Sequence, residues 1–170
     1  VAYLARSGKI VRTEVVLKEY VLPIQVSRAA RTQAVERLEK EARILSRIKH
    51  PNIVRLIDFF FEDHRGYLVV EYIKGDNLQF LVRRDAPFPE QRVLELADQM
   101  AEILICLDMH DPPIIYSDFT PDNLILSNSG ELKLIDFNVA EQKSTTTTAT
   151  VVGKHAYIAP EQFRGRPVPQ

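Results

Sequence analysis

The sequence lacks any run of about 18 apolar residues, the length that a helix needs to cross a bilayer. Its first residues also lack the basic and then apolar pattern of a signal peptide. No charge of one sign is in excess, because the formal net charge at pH 7 is −1. These absences predict a cytoplasmic chain with no membrane contact from this segment and no nucleic-acid partner.

Cysteine is almost absent, since Cys106 is the single cysteine in 170 residues. One thiol excludes an internal disulfide and a cysteine-based zinc cluster. Cys106 lies within a helical pattern, and we interpret it as a core residue. The chain does contain 45% apolar and 26% charged residues, which is the balance of a globular chain of one domain or slightly more.

The first part of the chain has the patterns of two hairpins and one helix. Strands are predicted at 1–6, 13–21, 53–61 and 66–73, and a helix over 30–49. Pro51 ends the helical pattern, because proline cannot continue a helix. Gly75-Asp76-Asn77 is expected to break the last strand.

The second part has mainly helical patterns with small hairpins. Helices are predicted over 78–84 and 89–109, and strand pieces at 114–116, 124–126 and 132–135. Residues 141–150 have almost no apolar periodicity and include the run Thr145 to Thr148, which predicts a surface loop. This order predicts two lobes around a cleft, with the join near residues 71–75.

Three short motifs place a lysine, an aspartate or an asparagine next to apolar residues. They are Val15-Val16-Leu17-Lys18, Ile114 to Asn123 with Asp118 inside it, and Leu134-Ile135-Asp136-Phe137-Asn138. A carboxylate such as Asp118 can accept the proton of an attacking hydroxyl. The oxygen atoms of Asn123 and Asp136 suit a hard cation such as Mg²⁺ together with substrate phosphates.

These motifs resemble V-A-I-K, the H-R-D loop with its asparagine, and D-F-G of eukaryotic-type (Hanks-type) Ser/Thr protein kinases. Ala159-Pro160-Glu161 resembles the A-P-E that ends the activation segment of that family. This last motif favours a protein substrate over a small molecule. The resemblance covers nearly the whole chain and is closest to bacterial members of the family.

The resemblance implies an α+β, protein-kinase-like two-lobe fold. Residues 1–73 would form the N-lobe, an antiparallel sheet with one helix, and residues 74–170 would form part of a mainly helical C-lobe through the activation segment. The family's glycine-rich loop would precede Val1, and further helices would follow Gln170. We therefore expect a kinase domain that is cut short at both ends, and the predicted function is that of the intact domain.

The same resemblance implies roles for particular residues. Lys18 would bind the α- and β-phosphates of ATP and pair with Glu41, which shares a helix face with Leu38 and Leu45. Taken alone, Lys18 and Glu41 would each be interpreted as a solvated surface charge. The further nucleotide-binding residues implied are Val16, Val70, Glu71, Ile73, Asn77 and Ile125. For Asn77, and for Asp76 beside it, a turn and helix cap is the alternative interpretation.

Four positions depart from the family pattern: Ser117, Thr120, Asn138 and Lys154. Ser117 replaces an arginine, and Asn138 replaces the glycine of D-F-G. Thr120 stands where a lysine is usual, and Lys154 stands where a threonine is usual. Our hypothesis is that the two have exchanged roles and that Lys154 reaches Asp118 and the γ-phosphate. The alternative is that Lys154 faces solvent.

The predicted function is transfer of the ATP γ-phosphate to Ser/Thr hydroxyls of proteins, with Mg²⁺. Thr145 to Thr148 and Thr150 are candidate autophosphorylation sites, and the alternative is that they only form a polar surface loop. One alternative is a pseudokinase that acts as a nucleotide-regulated binding module, which Ser117, Thr120 and Asn138 keep open. The other alternative is a kinase-like small-molecule phosphotransferase. The pseudokinase alternative is disfavoured because a scaffold has no need for the five residues Lys18, Glu41, Asp118, Asn123 and Asp136.

Overall fold

The computed structural model describes residues 1–7, 13–21, 28–137 and 140–142. The chain divides into two compact units, Val1–Lys74 and Gly75–Gln170. Within the described ranges, no helix combines the length and the apolar character that a membrane span requires.

In the described residues of the first unit, an antiparallel sheet is accompanied by one helix. Its elements are β1 (Ala2–Ser7), β2 (Thr13–Val21), α1 (Arg28–Arg47), β3 (Leu56–Glu62) and β4 (Arg65–Glu71). The strand order is β1-β2-β4-β3, so the two hairpins join through β2 and β4. All five elements were predicted, although β3 begins at Leu56 rather than at Ile53.

Helix α1 packs on one face of this sheet. Its residues Leu38 and Ala42 form a buried cluster with Leu68 of β4. Gly66 of β4 allows this close approach, because a Cβ at that position would overlap the side chain of Leu38. The apolar period of α1 therefore places one stripe of the helix against the sheet.

Glu19 is a buried charge on the other face of β2, because successive residues of a strand point to opposite sides. Its side chain is only 6% exposed. The Tyr3 hydroxyl donates a hydrogen bond to Glu19 Oε2 over 2.9 Å, and the Arg65 guanidinium bonds to Oε1. The hydrogen bond from Arg65, followed by that from Tyr3, lowers the pKa of Glu19. This network satisfies a carboxylate that would otherwise destabilise the sheet.

Replacing Glu19 by Gln should make the free energy of unfolding depend less steeply on pH at acid pH. Because folding lowers the pKa of Glu19 from its ordinary value of 4.5, the ionised carboxylate stabilises the folded protein fully above about pH 4.5. This stabilisation is lost as the pH falls through the lowered pKa of the folded protein. Urea unfolding at several pH values measures the slope. Glu14→Gln removes the same charge from an exposed position of the same strand. Equal slopes for Glu19→Gln and wild type below that pH would contradict the prediction.

The described part of the second unit combines two helices with short strands. Its elements are β5 (Gly75–Asn77), α2 (Leu78–Asp85), α3 (Glu90–Asp108), β6 (Ile114–Tyr116), a 3-10 turn (Pro121–Asn123), β7 (Leu124–Ser127), β8 (Leu132–Leu134) and β9 (Ala140–Gln142). Strands β5, β7 and β8 form one sheet in that order, and β6 pairs with β9.

One expectation for this unit is wrong, and one strand was not predicted. The strand before Gly75 does end, at Glu71, but Gly75–Asn77 then forms a separate strand, β5, in which Asp76 lies opposite Leu126 of β7. Glu141 was assigned to a loop, yet it lies in β9 opposite Ile115 of β6. In both cases the partner strand provides the backbone pairing, so low intrinsic β-propensity does not prevent it. Residues 143–150 of the predicted loop lie outside the described residues.

Gln99 of α3 attaches the β7–β8 hairpin to the helix. Its Nε2 donates to the carbonyl of Gly130 over 3.2 Å, and its Oε1 accepts the backbone N–H of Leu132 over 2.7 Å. Gly130 has a φ of +89°, a conformation that favours glycine in this tight turn. One side chain thus fixes both sides of the turn.

Replacing Gln99 by Leu should destabilise the protein by about 1–3 kcal/mol, because the partly buried Leu132 N–H loses its acceptor. Denaturant unfolding measures this change in the free energy of unfolding. Gln91→Leu on the same helix, where the side chain is exposed, is the matched control. Equal free energies of unfolding for Gln99→Leu and Gln91→Leu would show that the hydrogen bonds of Gln99 do not stabilise the protein.

Candidate active site

Strand β2 and helix α1 bring Lys18 and Glu41 together. Lys18 Nζ lies 3.9 Å from Glu41 Oε1. The side chain of Glu41 is 3% exposed, whereas that of Lys18 is 16% exposed, so the carboxylate is the more desolvated partner. The predicted pair is therefore present in the first unit. A buried carboxylate of this kind would destabilise the fold if its charged partner were removed.

A second β2 residue, which the motif comparison missed, also reaches this carboxylate. The hydroxyl of Tyr20 donates to Glu41 Oε2 over 3.2 Å. Strand alternation offers the signal for it, because Tyr20 is two residues from Lys18 and shares its face.

The predicted adenine-binding residues of the first unit lie on two neighbouring strands or directly after one of them. Val16 of β2 is paired with Val70 of β4. Glu71 ends β4, where its backbone N–H donates to the Arg55 carbonyl over 3.0 Å. Ile73 follows and is buried. Their contacts with adenine stay a prediction.

The loop after β6 orients a carboxylate in the second unit. Nδ2 of Asn123 lies 2.9 Å from the backbone carbonyl of Asp118 and 2.9 Å from its Oδ2, and it donates to both. Asn123 ends the 3-10 turn, which places it beside Asp118 despite the five residues between their numbers. The amide oxygen of Asn123 is then directed away from Asp118 and can serve as a metal ligand.

Two buried oxygens in this loop have no hydrogen-bond partner among the described residues. They are Oδ1 of Asp118 and Oγ1 of Thr120. Thr120 is 1% exposed. Unsatisfied buried polar atoms are rare in folded proteins, and they concentrate where a ligand or a catalytic partner binds.

Asp136 follows β8 and is held through its backbone. The Tyr116 hydroxyl donates to the Asp136 carbonyl. The Tyr116 ring also packs edge-on against Phe137 with 5.3 Å between ring centroids. Because the Ile135 N–H donates to the Asn123 carbonyl over 3.0 Å, both predicted metal ligands lie at one end of the β7–β8 hairpin.

The donor set at this end fits magnesium. Within the described part of the chain, no three His, Cys, Asp or Glu side chains are grouped to hold a metal ion. Asp136 and the amide oxygen of Asn123 could therefore provide only part of a coordination sphere. Mg²⁺ accepts this arrangement, since it is commonly bound by one or two carboxylates together with substrate phosphates.

Asn77 caps helix α2. Its Oδ1 accepts the backbone N–H of Gln79 over 2.9 Å and that of Phe80 over 3.3 Å. Its Nδ2 donates to the Asp122 carbonyl in the loop of Asp118. The alternative interpretation as a cap thus describes the observed contacts, and the ribose contact stays a prediction. Ile125 lies in β7 opposite Asn77, and its contact with the nucleotide also stays a prediction.

The other departures and motifs fall on residues that the structure does not describe. Asn138, Lys154, the threonines of 145–150 and Ala159-Pro160-Glu161 lie outside the described residues. The exchange of roles between Thr120 and Lys154 therefore stays a prediction.

The first unit contains the Lys–Glu pair and the second contains the oriented Asp–Asn loop, which are two of the features that the kinase resemblance implies. The family described as "Protein kinase domain" matches residues 10–169. The chain belongs to this family, whose members use ATP. The predicted Hanks-type Ser/Thr kinase resemblance and the α+β kinase fold are confirmed.

Similar known proteins include kinases from bacteria and from an animal. The chain is 38% identical over 149 residues to serine/threonine-protein kinase B of Synechocystis, covering 79% of this chain and 25% of the relative. It is 35% identical over 136 residues to the probable serine/threonine-protein kinase PknB of Lactococcus lactis, covering 78% and 21%. It is 32% identical over 167 residues to Aurora kinase A-A of Xenopus laevis, covering 96% and 39%. The chain thus spans about a fifth to two fifths of the length of these relatives.

Proposed function

We propose that this domain transfers the γ-phosphate of ATP to Ser or Thr hydroxyls of protein substrates. The observation that supports it best is the Asp118–Asn123 arrangement. A carboxylate is fixed by an amide that donates to it, while its second oxygen is buried with no partner among the described residues. Such a carboxylate is suited to accept a proton from a hydroxyl.

In the proposed reaction, Asp118 accepts the proton of the substrate hydroxyl as its oxygen attacks the γ-phosphorus. The bond from the γ-phosphorus to the bridging oxygen of the β-phosphate breaks, and ADP leaves. Asp136 and Asn123 would hold Mg²⁺, which neutralises phosphate charge when it is bound. Lys18 would bind the α- and β-phosphates. The predicted cytoplasmic location belongs to the same proposal, because the reaction consumes ATP.

The exchange between Thr120 and Lys154 is part of the proposal. Its support is that Asp118 and Thr120 each have a buried oxygen without a donor among the described residues. An ammonium group could donate to both oxygens and also face the γ-phosphate.

Replacing Lys154 by Met should then lower kcat roughly 10²-fold, the scale for loss of one charge-stabilising donor. Lys49→Met, at an exposed position of the first unit, is the control for loss of a lysine. Steady-state phosphotransfer by the full-length protein measures both. Unchanged transfer by Lys154→Met would end the exchange hypothesis.

The proposed function is tested with the full-length protein, Mg²⁺ and ATP labelled at the γ-phosphate. We expect label in a general protein substrate, and mass spectrometry should place autophosphorylation on Thr145 to Thr148 or Thr150. A pseudokinase would show a higher melting temperature with ATP but no transfer. A small-molecule phosphotransferase would release ADP only with a small acceptor and leave protein unlabelled.

A further inference from the structure

Tyr20 is placed to control the carboxylate that pairs with Lys18. Lys18 and Tyr20 lie on the same face of β2, and each faces a different oxygen of Glu41. Lys18 faces Oε1 at 3.9 Å, and the Tyr20 hydroxyl bonds to Oε2 at 3.2 Å. Two contacts on the two oxygens fix the rotation of a carboxylate as well as its position.

The Tyr20 ring is itself held by packing. It lies against the buried cluster of Leu38, Ala42 and Leu68. Leu38 and Ala42 lie on α1 on either side of Glu41, so the ring contacts the same helix that its hydroxyl bonds to. Because the ring is packed against this buried cluster, the position of the Tyr20 hydroxyl is restricted.

Glu41 needs a partner held in this way because it is 3% exposed. A distance of 3.9 Å to Lys18 is longer than a hydrogen bond between charged groups. At that distance the lysine alone gives little directional restraint, whereas the tyrosine hydroxyl provides a hydrogen bond.

We propose that Tyr20 is a positioning residue that holds the Glu41 carboxylate toward Lys18 and so pre-organises the lysine for nucleotide phosphates. This rests on the proposed function, in which Lys18 binds the α- and β-phosphates. Tyr20 touches neither substrate nor nucleotide and acts through Glu41.

Tyr20→Phe in the full-length protein tests this, with Tyr3→Phe as the matched control. Tyr3 also loses a hydroxyl that bonds to a buried glutamate of β2, but that glutamate is Glu19. Calorimetry should show a three- to tenfold weaker affinity for the magnesium complex of β,γ-imido-ATP in Tyr20→Phe, roughly the range of one lost hydrogen bond. Tyr3→Phe should bind as wild type does.

The Glu41→Gln background separates positioning from packing. If Tyr20 acts through the carboxylate, Tyr20→Phe should change the affinity less than about twofold once Glu41 is Gln. A full effect of Tyr20→Phe in that background would overturn the proposal, as would wild-type affinity of the single variant.

A second readout needs no nucleotide. The rate at which the N-hydroxysuccinimide ester of acetic acid acetylates Lys18, followed by peptide mass spectrometry, should rise in Tyr20→Phe and not in Tyr3→Phe. If wild type does not bind the nucleotide, the proposed function fails, and the acetylation rate still decides the role of Tyr20. Equal rates in all three proteins would overturn it.

Discussion

Replacing Asp118 by Asn is expected to lower the kcat of phosphotransfer roughly 10²–10⁴-fold, the usual cost of removing a general base. The substitution keeps the size of the side chain and retains one oxygen, but it removes the basic group. Asn123 can still donate to the backbone carbonyl of residue 118, so the loop should keep its conformation. The nucleotide affinity should therefore change little, and the loss should lie in kcat rather than in KM for ATP.

Asp98→Asn is the matched control, because it makes the same change at an exposed position of α3. It should have wild-type activity. Phosphotransfer by Asp118→Asn at more than a tenth of the wild-type rate would show that Asp118 is not the base. A melting temperature well below that of the control would instead assign Asp118 a structural role.

Replacing Asp136 by Asn should raise the Mg²⁺ concentration needed for half-maximal activity and lower kcat roughly 10²–10³-fold, since a charge-stabilising group is lost. The position of residue 136 should be preserved, because Tyr116 bonds to its backbone carbonyl, which the substitution retains. Rates measured across a Mg²⁺ titration separate weaker metal binding from a lower maximal rate.

Glu131→Gln provides the control for this substitution. Glu131 is an exposed carboxylate in the turn between β7 and β8. Its replacement should leave the Mg²⁺ requirement unchanged. An unchanged Mg²⁺ requirement in Asp136→Asn as well would remove Asp136 from the proposed metal site.

Much of the fold follows from local patterns. The period of α1 and the alternation in β2 and β4 were sufficient to predict these elements within about two residues, the usual scatter of element ends. Strands β5 and β9 were missed because Gly75 and Glu141 are poor strand formers. Their pairing depends on β7 and β6, which lie far away in sequence. The helix was predicted to begin at Pro89, but α3 begins at Glu90 and Pro89 is the residue just before it.

In the candidate site, too, contacts between residues close in sequence were predicted, whereas two contacts between distant residues were not. Motif spacing was sufficient to place Asp118 beside Asn123, because the turn between them is short. The contact of Tyr20 with Glu41 and that of Gln99 with Leu132 join elements separated by many residues. Such contacts depend on how a helix lies on a sheet, which no local pattern reports.

The β7–β8 ladder has a consequence for how this chain can vary in length. Leu124 pairs with Leu134 and Leu126 with Leu132, and all but Leu126 of these leucines are buried. A slip by one residue would turn Lys133 into the core, so the register is protected against insertions. Extra residues among 128–131 should weaken the attachment of this turn to Gln99, because Gly130 is one of its two contacts. The length of this turn should therefore affect the stability of the protein, while the pairing of β7 with β8 keeps Asn123 and Asp136 at the opposite end of the hairpin.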